Sequence, residues 1–313
     1  MKKILSTLLV CAAVATTSFA GSYPSKTIKL VVPSKAGGST DTTARLFIDT
    51  AKHYWKDADF IVVNKPGAGG LIGFSYEQRQ KPDGYTIGLM FTPQFVAHIV
   101  SGKAKYTLGS FKIVGNVAED PGIVVVNASS SVKNLDDLVK LAKSKKITAA
   151  VNGIGSDDFL AAKQFEEKTG VTFNLLPTKG STEQKTAILG NHVEVSFMNL
   201  SQMLANHNAG KVRIIAVLSK KRADVAPEIP TSVEQNYDVL MTATRGIVIS
   251  SKVKPEIANK IVDLYTKVVN DPGFQEKAKK SFIFLNPLNG EEYRAYLKQL
   301  QADTQKVFDK TPW

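Results

Sequence analysis

Cysteine is almost missing from this chain: there is one, Cys11, in 313 residues. It falls in an opening segment that reads as a cleavable leader. Lys2 and Lys3 form a basic start, Ile4 to Ala15 is mostly apolar, and Ser18-Phe19-Ala20 is a small-x-small cleavage site. Cys11 would suit a lipidated leader, but Val10 before it is not a small residue, so ordinary cleavage after residue 20 is the expectation. Removing that leader leaves no cysteine, which excludes disulfides, zinc thiolates and thiol nucleophiles. A chain of roughly 300 residues can bury enough apolar surface in two lobes without such staples. Export without cysteine suits a bacterial periplasm.

Long hydrophobic runs are missing too. Beyond the leader no stretch approaches the ~20 apolar residues that a bilayer-spanning helix needs. Nucleotide and hydrolase signatures are equally absent. There is no G-x-x-x-x-G-K-[ST] pattern, and GAGGLIG (67–73) puts Ile72 where a dinucleotide fingerprint needs its last glycine. GIGSDD (153–158) ends in Asp158 at the same place. G-x-S-x-G and H-E-x-x-H do not occur. His53, His98, His192 and His207 show no ligand spacing. Asp157 and Asp158 are adjacent, so on a helix they point about 100° apart, which is poor geometry for an acid–base pair. No metal, no cofactor and no catalytic residue is expected.

Negative charge is in deficit, with 40 Lys and Arg against 28 Asp and Glu, a formal net charge of +12. The lysines are scattered, as in KLAKSKK and QEKAKKS, without interleaved aromatics. That pattern describes solvated helix faces, and together with export it argues against nucleic acid. The net field still favours capture of small anions.

What is present is an alternation of strand-like and helix-like segments. DFIVV (59–63), IVVV (123–126), ITAAV (147–151) and VRIIAV (212–217) read as buried strands. Asn134 caps LDDLVKLAKSKK, with acids in its first turn and lysines in its last. Pro255 opens a helix that Asn270-Asp271-Pro272 stops. Alternation of this kind predicts an α/β protein with largely parallel sheets. PGIVVVN (121–127) and TATRG (242–246) are candidate crossovers between lobes.

One pattern recurs. IKLVVPSKAGGSTDTTARLF (28–47) is a strand, a glycine turn, Gly-Ser-x-Asp and a helix, and ITAAVNGIGSDDFLAAKQF (147–165) repeats that order. LPTKGSTEQKTAILG (176–190) again sets Gly-Ser before a helical segment. A helix N-terminus presents unpaired N–H groups and a partial positive charge, and it can hold a carboxylate or phosphate without a lysine. Read singly, Ser39, Ser156 and Ser181 are ordinary N-caps beside ordinary turns. Read together, the repeat describes a cleft lined by helix N-termini.

These stretches resemble the solute receptors of tripartite tricarboxylate transporters, the Bug family. The markers are YPSKTIKLVVPSKAGGSTDTTAR (23–45), NKPGAGGLIG (64–73), KPDGYTIGLM (81–90), TKGSTE (178–183), AGKVRIIAVLSKKR (209–222) and EIPTSVEQNY (228–237). The resemblance implies a type II periplasmic-binding-protein fold: two α/β lobes with mixed sheets, joined by crossover strands around an interlobe cleft. Residues 21–120 with 243–313 would form one lobe and 121–242 the other. Carried onto this chain, the first lobe supplies Ser34, Gly37, Gly38, Ser39, Asp41 and Thr92 to a carboxylate ligand. The second lobe supplies Gly155, Ser156, Thr178, Gly180 and Asn199. Asp41 would repel a carboxylate, so it orients the turn or meets a water or a ligand ammonium.

The chain departs from the family at three positions, two of them among these residues. Phe159 stands where members often have His, Thr178 where many have Tyr, and Asn199 where Asp is common. A lost acid and Arg245 in the TATRG crossover would suit a more anionic ligand. Arg245 either grips a carboxylate bidentately or braces the hinge through an ion pair, and the sequence leaves both open. The implied function is a monomeric periplasmic receptor that delivers a small organic carboxylate to the membrane subunits of such a transporter. A receptor serving a sensor kinase, and more remotely an exported α/β enzyme, are the alternatives.

Overall fold

A computed structural model describes residues 23–313, so the expected leader, 1–20, lies outside the described residues. The chain begins with β1 (Ile28–Val32), α1 (Ser39–Tyr54), β2 (Phe60–Asn64), α2 (Leu71–Gln78), β3 (Thr86–Phe91) and α3 (Gln94–Val100). A long strand, β4 (Phe111–Asn127), leads out of this half. The second half runs through α4 (Leu135–Ser144), β5 (Thr148–Val151), α5 (Asp157–Thr169), β6 (Asn174–Pro177) and α6 (Ser181–Leu189). It ends with β7 (Val195–Asn199), α7 (Leu200–Asn208) and β8 (Val212–Val217). The chain then returns to the first half with β9 (Thr242–Ser250), α8 (Pro255–Val269), α9 (Pro272–Lys280), β10 (Leu285–Asn289) and α10 (Gly290–Lys310).

The strands follow the order β2-β1-β3-β9-β4-β7-β5-β6, with β8 and β10 also paired to β4. Pairs at the outer ends are parallel: β1 with β2 and β3, and β5 with β6 and β7. All pairs of β4, and the β3–β9 pair, are antiparallel. The sheets are therefore mixed, as the family resemblance implies, and the largely parallel arrangement read from alternation is corrected. Its cause is the two long strands, β4 and β9, which run back against their neighbours in the middle of the sheet.

β4 also couples the two halves. Its first part pairs with β9 and β10, and from Gly122 onward it pairs with β7 and β8. Pro121 sits where the partners change, a place that tolerates the missing ladder donor. β1 is buried on both faces except at Lys29, which explains its continuous apolar run. Ala44, Phe47, Ile48 and Ala51 of α1 turn inward against α8 and α9. Helix boundaries follow local chemistry: Asn134 Oδ1 accepts from Asp137 N–H at 2.8 Å, and Asp271 Oδ1 from Phe274 N–H at 2.8 Å. Asp271 thus closes the α8 region and caps α9 in one step. Among the described residues no helix is long and apolar enough to cross a membrane.

Candidate functional site

The turn after β1 reaches α1 through Gly37, at φ +81°, and Gly38, which is the N-cap. Gly38 has no side chain to cap with, and the first intrahelical bond runs from Thr42 N–H to Gly38 C=O at 2.9 Å. The N–H groups of Ser39, Thr40 and Asp41 therefore precede the helical ladder without a side-chain acceptor from the cap. Asp41 is buried and held on three sides. Its carboxylate accepts from Gly37 N–H at 2.8 Å, from Arg45 Nε at 2.8 Å and from Asn64 Nδ2 at 2.9 Å. Burial pushes its pKa up, but the bonds from Arg45, Gly37 and Asn64 outweigh this and hold it below the usual carboxylate value. Of the roles open to Asp41 from sequence, the geometry gives it the first: it orients the turn. Ser34 Oγ, in the same turn, is buried without a hydrogen-bond partner.

The turn before α6 is built in the same way. Gly180, at φ +150°, is an N-cap without a side chain, and Gln184 N–H reaches its carbonyl at 3.3 Å. Thr178 Oγ1 is shared between Gly180 C=O within the turn, at 3.1 Å, and Val151 C=O at the end of β5, at 3.2 Å, donating to both.

The turn before α5 differs. Ser156 is a true N-cap, accepting from Phe159 N–H at 3.1 Å and donating to Gly153 C=O at 2.8 Å. Its hydroxyl is engaged by its own helix. The next residue, Asp157, is buried, with Asn199 Nδ2 donating to Oδ2 at 2.6 Å and Gln94 Nε2 approaching Oδ1 at 3.5 Å. Burial and the charge of Asp120 raise its pKa, against the opposing effects of Asn199, its own N–H and Arg245. Asp158 is raised further, by burial and by Asp157. Gln184 donates its amide N–H groups to Ala150 C=O and Phe197 C=O, its Oε1 is buried without a partner, and Asp158 Oδ2 accepts from Asn152 N–H at 3.2 Å.

Arg245 lies in β9 and is buried. Its Nη2 donates to Asp120 Oδ2 at 3.0 Å and to Ser39 Oγ at 2.9 Å. Asp120 accepts in addition from Ser201 N–H at 3.1 Å and from the Ser201 hydroxyl at 2.5 Å. The ion pair foreseen as one option for Arg245 is thus present. A continuous chain of polar contacts results: Ser39, Arg245, Asp120, Asn199, Asp157 and Gln94. It links the N-terminus of α1 to that of α5 across both long strands.

Of the expected site residues, Ser39, Asn199 and Arg245 belong to this chain, and Gly38 and Ser156 are the N-caps of the two helices that it joins. Thr92 is fully buried, its Oγ1 2.6 Å from Thr244 Oγ1, so its side chain supports the β3–β9 junction. Asp120, Asp157 and Gln94 were not foreseen as site residues. The available signals were a charge inside an apolar strand, at Asp120-Pro121, and two acids at a helix start. Among the described residues no cluster of His, Cys, Asp or Glu is placed to hold a metal ion.

Residues 50–307 match the family described as tripartite tricarboxylate transporter family receptor. BugT of Bordetella pertussis is 29% identical over 280 residues, covering 88% of this chain and 84% of BugT. A TctC solute binding protein from Polaromonas aligns with a TM-score of 0.76 at 30% identity, covering 92% of this chain and 99% of that one. The periplasmic binding protein BugD aligns at 0.81 with 28% identity, covering 92% and 98%. These relatives are binding proteins rather than enzymes. With the mixed α/β architecture and the repeated helix-opening turns, the match over most of its length places this chain among the tripartite tricarboxylate transporter receptors of the Bug type.

Proposed function

We propose that this chain is a periplasmic receptor that captures a small organic carboxylate and delivers it to the membrane subunits of a tripartite tricarboxylate-type transporter. The observation that carries the reading is the glycine N-cap of α1: a helix N-terminus with free N–H groups, no side-chain cap, and an acid already neutralised by Arg45 and Asn64. One ligand carboxylate docks there, on Gly37, Gly38 and Ser39, with the unpartnered Ser34 hydroxyl nearby. The Gly180 turn supplies a similar N-terminus from the other side of the cleft. The mechanism has no chemical step. Closure of one half over the other is driven by contacts better made closed than open.

Thermal-shift screening of the purified protein against di- and tricarboxylates, aromatic acids and amino acids tests the reading. Acids are expected to stabilise it, and stabilisation only by neutral sugars or cations would overturn it. Gly38→Asp sharpens the test. Gly38 has extended backbone angles, and a Cβ there meets nothing closer than Lys35 C=O at 3.7 Å, so the fold accepts the change. Asp is also a good N-cap. The variant should keep or slightly raise its melting temperature while losing carboxylate affinity by about 100-fold or more.

A further inference from the structure

The second side of the cleft does not match the first, and the difference says something about the ligand. At α1 the helix N-terminus is uncapped. At α5 the same place is already filled by the chain's own anion: Asp157 carboxylate sits on the helix start and takes a 2.6 Å hydrogen bond from Asn199. A second ligand carboxylate has no vacant N-terminus to enter there. Arg245 does not change this balance, because its charge is matched by Asp120 at 3.0 Å. The more anionic ligand expected from the Arg245 crossover therefore loses its counter-ion.

A second observation points the same way. Gln94, at the start of α3 in the other half, is 8% exposed and reaches Asp157 Oδ1 with its Nε2. Its Oε1, on the same amide, is buried without a donor. Asp157 Oδ1 itself has only that one long contact, at 3.5 Å. Two acceptors thus lie together at the seam between the halves with too few donors between them. Buried acceptors without donors are costly, more so when one carries charge. Of the neighbouring acids, Asp120 is paired with Arg245, and Asp158 Oδ2 accepts from Asn152 N–H at 3.2 Å. What remains unmatched is one negative charge beside one amide oxygen. The set suits a compact group with several N–H donors and a positive charge, since no metal-holding cluster exists among the described residues.

We propose that Asp157 and Gln94 form an ammonium subsite, so that the ligand is a carboxylate bearing a primary amine, with its acid on the α1 turn and its amine at the α5 turn. The inference rests on the carboxylate-receptor reading above and narrows it to zwitterionic acids. The subsite discriminates by charge: an acid without the amine leaves Asp157 unpaired, and an acid with a second carboxylate in that position meets direct repulsion.

Isothermal titration of the full receptor at pH 7.5 against pairs differing only in the amine tests it. Succinate and aspartate, glutarate and glutamate, and propionate and alanine are suitable probes. At least one amino acid should bind about tenfold or more tightly than its partner. Asp157→Asn, nearly isosteric, should bring that ratio close to one, and Gln94→Leu should lower it in the same direction. Circular dichroism of both variants checks that the fold is kept. Equal or tighter binding of the amine-free partners would overturn the inference while leaving the carboxylate reading in place. So would an equal loss for both members of each pair in Asp157→Asn, which would make the residue a strut between the halves. If no acid of either kind binds, the carboxylate reading fails and the ammonium subsite falls with it.

Discussion

Glu77 is buried in α2, and neither of its carboxylate oxygens has a hydrogen-bond partner. The sheet makes room for it: a Cβ on Gly88 would fall 2.4 Å from Glu77 Oε2. Its carboxylate lies near Tyr106, and burial alone pushes its pKa well above the ordinary 4.5. The folded state therefore holds this proton more tightly than the unfolded chain. Its contribution is most favourable below pH 4.5 and declines as pH rises, because the unfolded chain gains by ionising while the folded one does not. Glu77→Met should add about 2 kcal/mol at pH 8 and progressively less toward pH 4.5, read from urea unfolding across that range. Position 77 was legible in principle. It lies three residues after buried Phe74, so the helical period of LIGFSYEQ places it on the inward face, and only its charge disguises it. Asp157 was hidden differently. The sequence shows two acids at a helix start, an ordinary dipole arrangement, and only Asn199 and Gln94, brought in from β7 and α3, give it another meaning.

Among the elements, β4 was the least legible. Its apolar end, 123–126, reads as a strand, but Glu119-Asp120-Pro121 interrupts the run and suggests a break. The strand continues through these residues because β9 supplies what they lack: Arg245 stands across from Ala118 and reaches Asp120. Removing one partner of such a buried pair leaves an uncompensated charge. Arg245→Met should cost about 3–5 kcal/mol in stability, and adding Asp120→Asn should restore more than half of it, as measured by urea unfolding. Additive losses would show that the two side chains do not act as a pair. By contrast β1, β5 and β8 were legible, because each is covered on both faces and its apolar run is unbroken by charge except at Lys29 in β1 and Arg213 in β8. Local pattern reports burial well. It does not report partners that arrive from more than a hundred residues away.

At the scale of the whole molecule, the end of the chain ties the halves together. α10 starts beside β10 in the first half, and its last turns pack on α5, where Lys310 Nζ meets Glu167 Oε1 at 2.5 Å. Trp313 lies edge-on to Phe159, with ring centroids 5.5 Å apart, and edge-on to Phe308 at 4.9 Å. Its Nε1 comes within 3.2 Å of where a Cβ on Gly155 would be, and Ala97 of α3 within 3.4 Å. The indole thus lies against the α5 turn. Trp313→Ala should change global stability by less than about 1 kcal/mol, since the residue is only partly buried. It should lower ligand affinity about three- to tenfold by reducing the closed fraction, and enlarge the ligand-free radius of gyration in small-angle scattering. Unchanged affinity and radius would remove Trp313 from the closing contacts.

The return path of the chain also sets an order of assembly. Every strand pairing of the β5 half comes from one uninterrupted stretch, residues 122–217, whereas the β1 half needs residues 28–121 and then 242–289. A chain made from its N-terminus completes the β5 half while β4 still presents an open edge on its other side, waiting for β9 and β10. Contacts that close late across a long loop form slowly. The candidate docking turn at Gly38 hangs on β1 in that sheet, so its contact with the rest of the polar chain is complete only once β9 has brought Arg245 to Ser39.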